Sequence, residues 1–213
     1  MAQIKIEKFF IAGPAGALEA LLESSADSAD ASLCALVCHP HPQFGGTMHN
    51  KVVFRAGKAA IESGLPTLRF NFRGTGKSEG EYAEGIGERD DVRATLDFLS
   101  QRFPSAEIVL MGFSFGAWVG LQAGAHDPRV IALIALGLPG NAKDYSFLQD
   151  VRKPKLIVQG TEDIYGPREE VERVFQSLPE PRSLHWVEGT DHFFTGRLPE
   201  VQKVIREFIE QLR

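Results

Sequence analysis

The 213-residue chain reads as an α/β protein, a three-layer α/β/α sandwich built on a mostly parallel sheet of about eight strands. Three observations predict it. Short apolar runs rich in β-branched residues alternate with amphipathic stretches of helical period, as strands joined by helical crossovers do. Several of those runs are apolar throughout, the mark of strands buried on both faces. Residues able to do chemistry fall just past the carboxyl ends of the runs, where open α/β sheets hold their ligands.

The elements follow in order. Ile4 to Ile11 alternates as a strand, and the Gly13-Pro14-Ala15-Gly16 turn leads to a second segment, Ala17 to Leu22. The pair predicts an antiparallel hairpin at one sheet edge. Ser24 to Ala31 is small and polar, a loop. Ser32 to Cys38 is a buried strand, His39 to Thr47 a loop, and Asn50 to Glu62 a helix closed by Gly64. Thr67 to Phe72 follows as a strand, Arg73 to Gly87 as loop, and Glu88 to Gln101 as a helix with Val92, Leu96 and Leu99 on one face. Ile108 to Met111 is the next strand and Ala117 to Ala123 the helix after it. Val130 to Ala135 and Leu156 to Gln159 are further buried strands, with a helix at Arg168 to Leu178 and a strand at Ser183 to Val187. Pro199 to Leu212 closes the chain as a helix, with Val201, Val204, Ile205 and Phe208 in its apolar stripe. No repeat, linker or low-complexity stretch interrupts this order, so residues 1–213 read as one domain.

Bulk properties narrow the function. A net charge of −5 without any Lys/Arg run argues against nucleic acid. The longest apolar run, Val130 to Leu138, is too short to span a bilayer, and Lys5, Glu7 and Lys8 break any signal-peptide core. Cys34 and Cys38 share one extended strand, too far apart to bridge each other, and read as small buried hydrophobes of a reducing compartment. The expected location is the cytoplasm.

The chemistry centres on Gly112-Phe113-Ser114-Phe115-Gly116, set between a strand and a helix. That context is the one a nucleophile elbow requires. The sharp turn strains the Ser114 backbone and throws its Oγ clear, while side chains at positions 112 and 116 would strike the neighbouring strand and helix. A serine hydroxyl needs a base, and the base needs an orienting group. His192, in Gly189-Thr190-Asp191-His192-Phe193-Phe194 after the last strand, is the candidate base. Asp163, past the penultimate strand, is the candidate acid; its neighbour Glu162 is the alternative, disfavoured because Asp163 lies further around the turn. Asp191, adjacent to the base, should point away; His185 reads as structural, and His126 as serving the end of the elbow helix. An oxyanion needs two donors. The Phe115 N–H supplies one, and the His41 N–H, with Gln43 and Phe44 as alternatives, the other.

Two further patterns carry less. His39, His41 and His49 lack a Cys or carboxylate to complete a ligand set, and Pro40 and Pro42 stiffen their loop, so no metal is expected. Gly74-Thr75-Gly76-Lys77-Ser78 imitates a phosphate-binding loop, but Asn71 stands where the motif needs its first glycine. The segment reads instead as a turn supporting the site. No cofactor is expected.

With Ser114, Asp163 and His192 in that chain order, these motifs resemble the α/β-hydrolase superfamily over essentially the whole sequence. The strings His39-Pro40-His41-Pro42, Gly45-Gly46-Thr47-Met48, Asn50-Lys51-Val52-Val53 and Arg69-Phe70-Asn71-Phe72-Arg73-Gly74 are similar to those of small, lid-less bacterial carboxylesterases related to dienelactone hydrolases. The resemblance implies an eight-stranded sheet and a Ser114–Asp163–His192 triad. Dienelactone hydrolases use a cysteine where this chain has Ser114, so their lactone substrate is not carried over.

Gly137 to Lys155, where this fold usually inserts a lid, holds room for one short helix around Asp144 to Gln149 and for no cap domain. An open, shallow pocket edged by Phe44, Phe115, Trp118, Phe193 and Phe194 would suit short-chain esters. The expected function is a serine carboxylesterase working through an acyl-enzyme. The alternatives are a thioesterase or small-peptide hydrolase, or a silent binding module of the same fold. The expected partner is a small ester or thioester; an exposed edge strand or apolar helix face leaves room for a homodimer.

Overall fold

The computed structural model describes residues 3–25, 31–140 and 143–213. Its strands are β1 (Ile4–Gly13), β2 (Gly16–Ser25), β3 (Leu33–Cys38), β4 (Thr67–Phe70), β5 (Glu107–Phe113), β6 (Val130–Leu136), β7 (Lys155–Gly160) and β8 (Arg182–Val187). They form one sheet in the order β1-β2-β4-β3-β5-β6-β7-β8. β2 runs antiparallel to both neighbours, and every other pairing is parallel. Ser24 and Ser25 belong to β2, and residues 26–30 of the expected loop lie outside the described residues.

The helices are α1 (Lys51–Glu62), α2 (Ile86–Arg102), α3 (Phe115–Gly124), α4 (Arg168–Ser177) and α5 (Leu198–Glu210). They cover both faces, and β3 shows why its sequence is apolar throughout. Cys34, Leu36 and Cys38 pack into one core with Val92, Leu96 and Val119 of α2 and α3. Leu33, Ala35 and Val37 pack into the other with Val52 and Val53 of α1 and Val201 and Ile205 of α5. Alternate side chains of a strand face opposite sides, so a strand between two cores needs no polar residue. Both cysteines are free and buried, and burial pushes the Cys34 thiol up to about 12. Asn50 caps α1, its Oδ1 accepting the Val52 N–H at 2.9 Å.

β4 stops at Phe70, two residues short of the expected end at Phe72. The reason is His39, at the end of the adjacent β3 and fully buried. The Phe72 N–H donates to its Nε2 at 3.0 Å, which takes that N–H away from any strand ladder. With Nε2 accepting, Nδ1 carries the proton and donates to the Pro40 carbonyl at 2.6 Å. The neutral imidazole is thus satisfied on both nitrogens.

The segment after β4 is a braced turn. The Asn71 side chain accepts the Met48 N–H at 2.8 Å, and Ser78 Oγ donates to the Asn71 carbonyl at 2.7 Å. Arg73 grips the buried Asp91 of α2 through Nε and Nη2, the latter at 2.7 Å, and its backbone N–H donates to the same carboxylate at 3.0 Å. A bidentate, charge-assisted pair of this kind fixes direction as well as distance. The loops after β3 and β4 are thereby tied to each other and to α2.

His39 makes folding pH-dependent. Burial pushes its pKa from 6.5 down to about 4, against the opposing hydrogen bond to Pro40. Above pH 6.5 both folded and unfolded chains hold it neutral; between 6.5 and 4 only the unfolded chain binds the proton, so stability falls as pH falls. The expected loss across that window is roughly 3 kcal/mol. Denaturant titrations at pH 7 and pH 4 should show this difference shrinking in His39→Gln, which keeps a donor and an acceptor but cannot be protonated; an equal pH dependence in both proteins refutes the assignment.

Candidate active site

The site grows from the end of β5. Ser114 has φ 55° and ψ −120°, a strained conformation for a residue with a side chain. The turn is too tight for anything but glycine two residues before and two residues after the serine. A Cβ on Gly112 would lie 2.3 Å from the Gly116 carbonyl oxygen, and one on Gly116 would lie 2.3 Å from that of His39. The expected collisions with helix and neighbouring strand are therefore real, and they force the Ser114 side chain outward.

His192, on the loop between β8 and α5, reaches this point. Its Nε2 lies 2.8 Å from Ser114 Oγ and its Nδ1 2.7 Å from Asp163 Oδ2. Asp163 is buried just past β7, and its carboxylate also accepts from Gln159 Nε2 at 2.7 Å, the Tyr165 N–H at 2.8 Å and the Gly166 N–H at 3.1 Å. Four donors fill the acceptor capacity of an ionised carboxylate. The His192 proton is thereby placed on Nδ1, leaving the Nε2 lone pair to accept from the serine hydroxyl.

The structure brings Asp163, and not the exposed Glu162, to the imidazole. Asp191 points away: its carboxylate accepts from the Phe193 and Thr195 N–H groups and the Thr195 hydroxyl, shaping the histidine's loop. His185 pairs with Glu200 at 3.1 Å. His126 does not serve the end of α3. Its ring is exposed and 3.8 Å from Asp150, while Lys153 Nζ donates to the Gly124 carbonyl at 2.9 Å. A flexible ammonium reaches a helix C-terminus more readily than a ring on the following residue.

The loop after β3 has few amide hydrogens to offer. Pro40 and Pro42 have none. The Gln43 N–H donates to His41 Nδ1 at 3.3 Å, and the Phe44 and Gly46 N–H groups to the His41 carbonyl at 3.1 and 3.0 Å. Among the described residues the N–H groups of His41 and Phe115 have no hydrogen-bond partner. The His41 ring packs on Phe44, Tyr82 and Phe115, and burial followed by the charge of Lys143 holds its pKa below the usual value.

A cavity of about 310 Å³ opens over Ser114, walled by His41, Phe44, Phe115, Lys143, Tyr165 and Phe193. Phe44 (83% exposed) and Phe193 (51%) form its lip. Two expected wall residues are elsewhere. Trp118, one turn along α3, packs on Gly85 and beneath Lys143. Phe194 is wholly buried against α5, because φ 54° turns it inward while Phe193 stays out. Tyr165, Lys143 and the bracing Gln159 were not foreseen; only Gln159 carried a signal, a lone amide ending an apolar strand. Among the described residues no three His, Cys, Asp or Glu side chains cluster as metal ligands, and no helix is long and apolar enough to cross a membrane. Between β6 and β7 the described residues add one 3-10 turn, Ser146–Leu148; Asn141 and Ala142 lie outside them.

Known proteins are similar to this chain. A family model described as an alpha/beta hydrolase domain matches residues 36–207. An alpha-beta serine hydrolase homologue from Coxiella burnetii is 40% identical with a TM-score of 0.88, over 94% of this chain and 96% of that one. A serine hydrolase without lid from Xanthomonas campestris is 33% identical with a TM-score of 0.89, over 98% and 95%. Protein RP471 of Rickettsia prowazekii, uncharacterized, is 36% identical over 211 residues, 95% of this chain and 88% of its own length. The eight-stranded sheet without a cap domain and the span of these matches lead to one conclusion: the chain belongs to the alpha/beta hydrolase family.

Proposed function

We propose that the protein is a serine hydrolase that cleaves short-chain carboxylic esters through an acyl-enzyme. The observation that carries this reading is the unbroken hydrogen-bonded line from Ser114 Oγ through the His192 ring to a saturated Asp163 carboxylate. Ser114 Oγ attacks the ester carbonyl as its proton passes to His192 Nε2. The carbonyl oxygen becomes an oxyanion and accepts from the Phe115 and His41 N–H groups, neither of which has a partner among the described residues, at the positive end of the α3 dipole. Collapse expels the alkoxide, which takes the proton from His192. Water then repeats the sequence on the acyl-Ser114 ester and releases the acid. Asp163 holds the imidazole tautomer and balances the imidazolium.

Substrate size follows from the walls. A cavity of about 310 Å³, edged by phenylalanines and opening to solvent past Phe44, suits a short acyl group better than a long lipid. A silent binding module is disfavoured by Ser114 itself, since a strained backbone costs of order 1–3 kcal/mol and brings an inert protein nothing.

Two measurements test the reading. Ser114→Ala should lower kcat/KM for p-nitrophenyl butyrate by about 10⁴- to 10⁶-fold without altering the circular dichroism spectrum, and should abolish labelling by a fluorophosphonate. Residual activity within tenfold of wild type sinks the proposal. Asp163→Asn should cost roughly 10⁴-fold in kcat, since the amide favours the wrong imidazole tautomer; a loss no larger than that of Glu162→Gln would assign the orienting role wrongly.

A further inference from the structure

The cavity over Ser114 has one cationic wall. Lys143 is half-buried, and its ammonium stands 3.8 Å from the centroid of the Trp118 ring. It makes no ion pair or side-chain hydrogen bond among the described residues. An aromatic face offsets only part of the desolvation of a cation. The other polar groups in the wall also lean toward donation. Asn50 Oδ1 is occupied by the Val52 N–H, which leaves its amide hydrogens, and Tyr165 adds a hydroxyl. Asp163 is committed to its four donors and the buried Glu88 to the Ala83 and Gly85 N–H groups. Glu170, packed against Gly140 with its Oε2 unpartnered, forms no ion pair with Lys143 among the described residues. A chain of net charge −5 thus keeps, in the wall of the cavity that holds its candidate nucleophile, an ammonium with no ion-pair partner among the described residues.

The position of Lys143 assigns it to one part of a substrate. The leaving group must depart past His192 Nε2, on the Phe193 side. Lys143 instead stands over Trp118 of α3, with its charge bearing on His41 rather than resting against Phe193. It therefore faces the acyl portion. We propose that Lys143 is a specificity residue that selects esters whose acyl chain ends in a carboxylate, the monoesters of short dicarboxylic acids. This rests on the serine hydrolase reading above. Hydrolysis then yields an alcohol and a dicarboxylate, and Lys143 takes no part in proton transfer.

The test compares monomethyl adipate with methyl hexanoate, which differ only in the terminal carboxylate, by proton release in a pH-stat. The wild type should favour the adipate ester by about tenfold or more in kcat/KM, as a charge-assisted contact allows. Lys143→Met should collapse that ratio by about 10- to 100-fold, Lys143→Arg should keep most of it, and Lys143→Glu should invert it. Free adipate should also slow fluorophosphonate labelling of Ser114 in the wild type and not in Lys143→Met. A wild-type ratio at or below one, or a ratio untouched by Lys143→Met, overturns the assignment while leaving the hydrolase reading intact. Should Ser114 label while neither ester is cleaved, adipate protection alone decides. Failure of both labelling and hydrolysis removes the hydrolase reading and this inference with it.

Discussion

Two backbones touch at the carboxyl edge of the sheet, and the site is referred to that contact. Gly116 at the start of α3 lies against the carbonyls of Cys38 and His39 so closely that no Cβ fits between them. The helix must therefore begin directly over the end of β3, and Ser114 must take the strained turn that links it to β5. Everything else is placed around this fixed point. The His39 ring ties the end of β3 to Phe72, and Arg73 ties that segment to Asp91 of α2. Close packing makes the contact unforgiving, because neither main chain has a softer alternative.

The part of the site that was legible in the sequence is the part written in local order. The glycines flanking Ser114 and the loop position of His192 follow from strand–turn–helix rules alone, and the burial of Val92, Leu96 and Leu99 from period. What stayed hidden depends on where side chains turn after the backbone is set. Phe193 and Phe194 are adjacent and chemically identical, yet one lines the cavity lip and the other lies in the core. The early end of β4 was hidden because its terminator, His39, comes from a different strand. Lys143 and Tyr165 come from loops whose reach no pattern in the sequence encodes.

Polar groups in the interior do more positioning than stabilising. Gln159 illustrates it: its Nε2 holds Asp163 while its Oε1 accepts the Leu138 N–H, so one amide joins the loops after β6 and β7. Such a group adds little net stability, but leaving any of its partners unpaired would be costly, which locks the geometry.

The loop after β3 is defined by subtraction. Two prolines and the hydrogen bonds of its own 3-10 turn remove every amide hydrogen between Pro40 and Phe44 except that of His41. Among the described residues of that stretch the His41 N–H is left without a partner, and under the proposed mechanism it is the hydrogen offered to the substrate's oxygen, selected by absence rather than by any recognising side chain. The main chain and the ring at position 41 are consequently coupled, because the ring's Nδ1 is what occupies the Gln43 N–H. Exchanging that ring for an apolar one would leave the Gln43 N–H without its acceptor and add a second unoccupied amide hydrogen to the turn, so one side chain sets both the wall of the cavity and the pattern of its backbone donors.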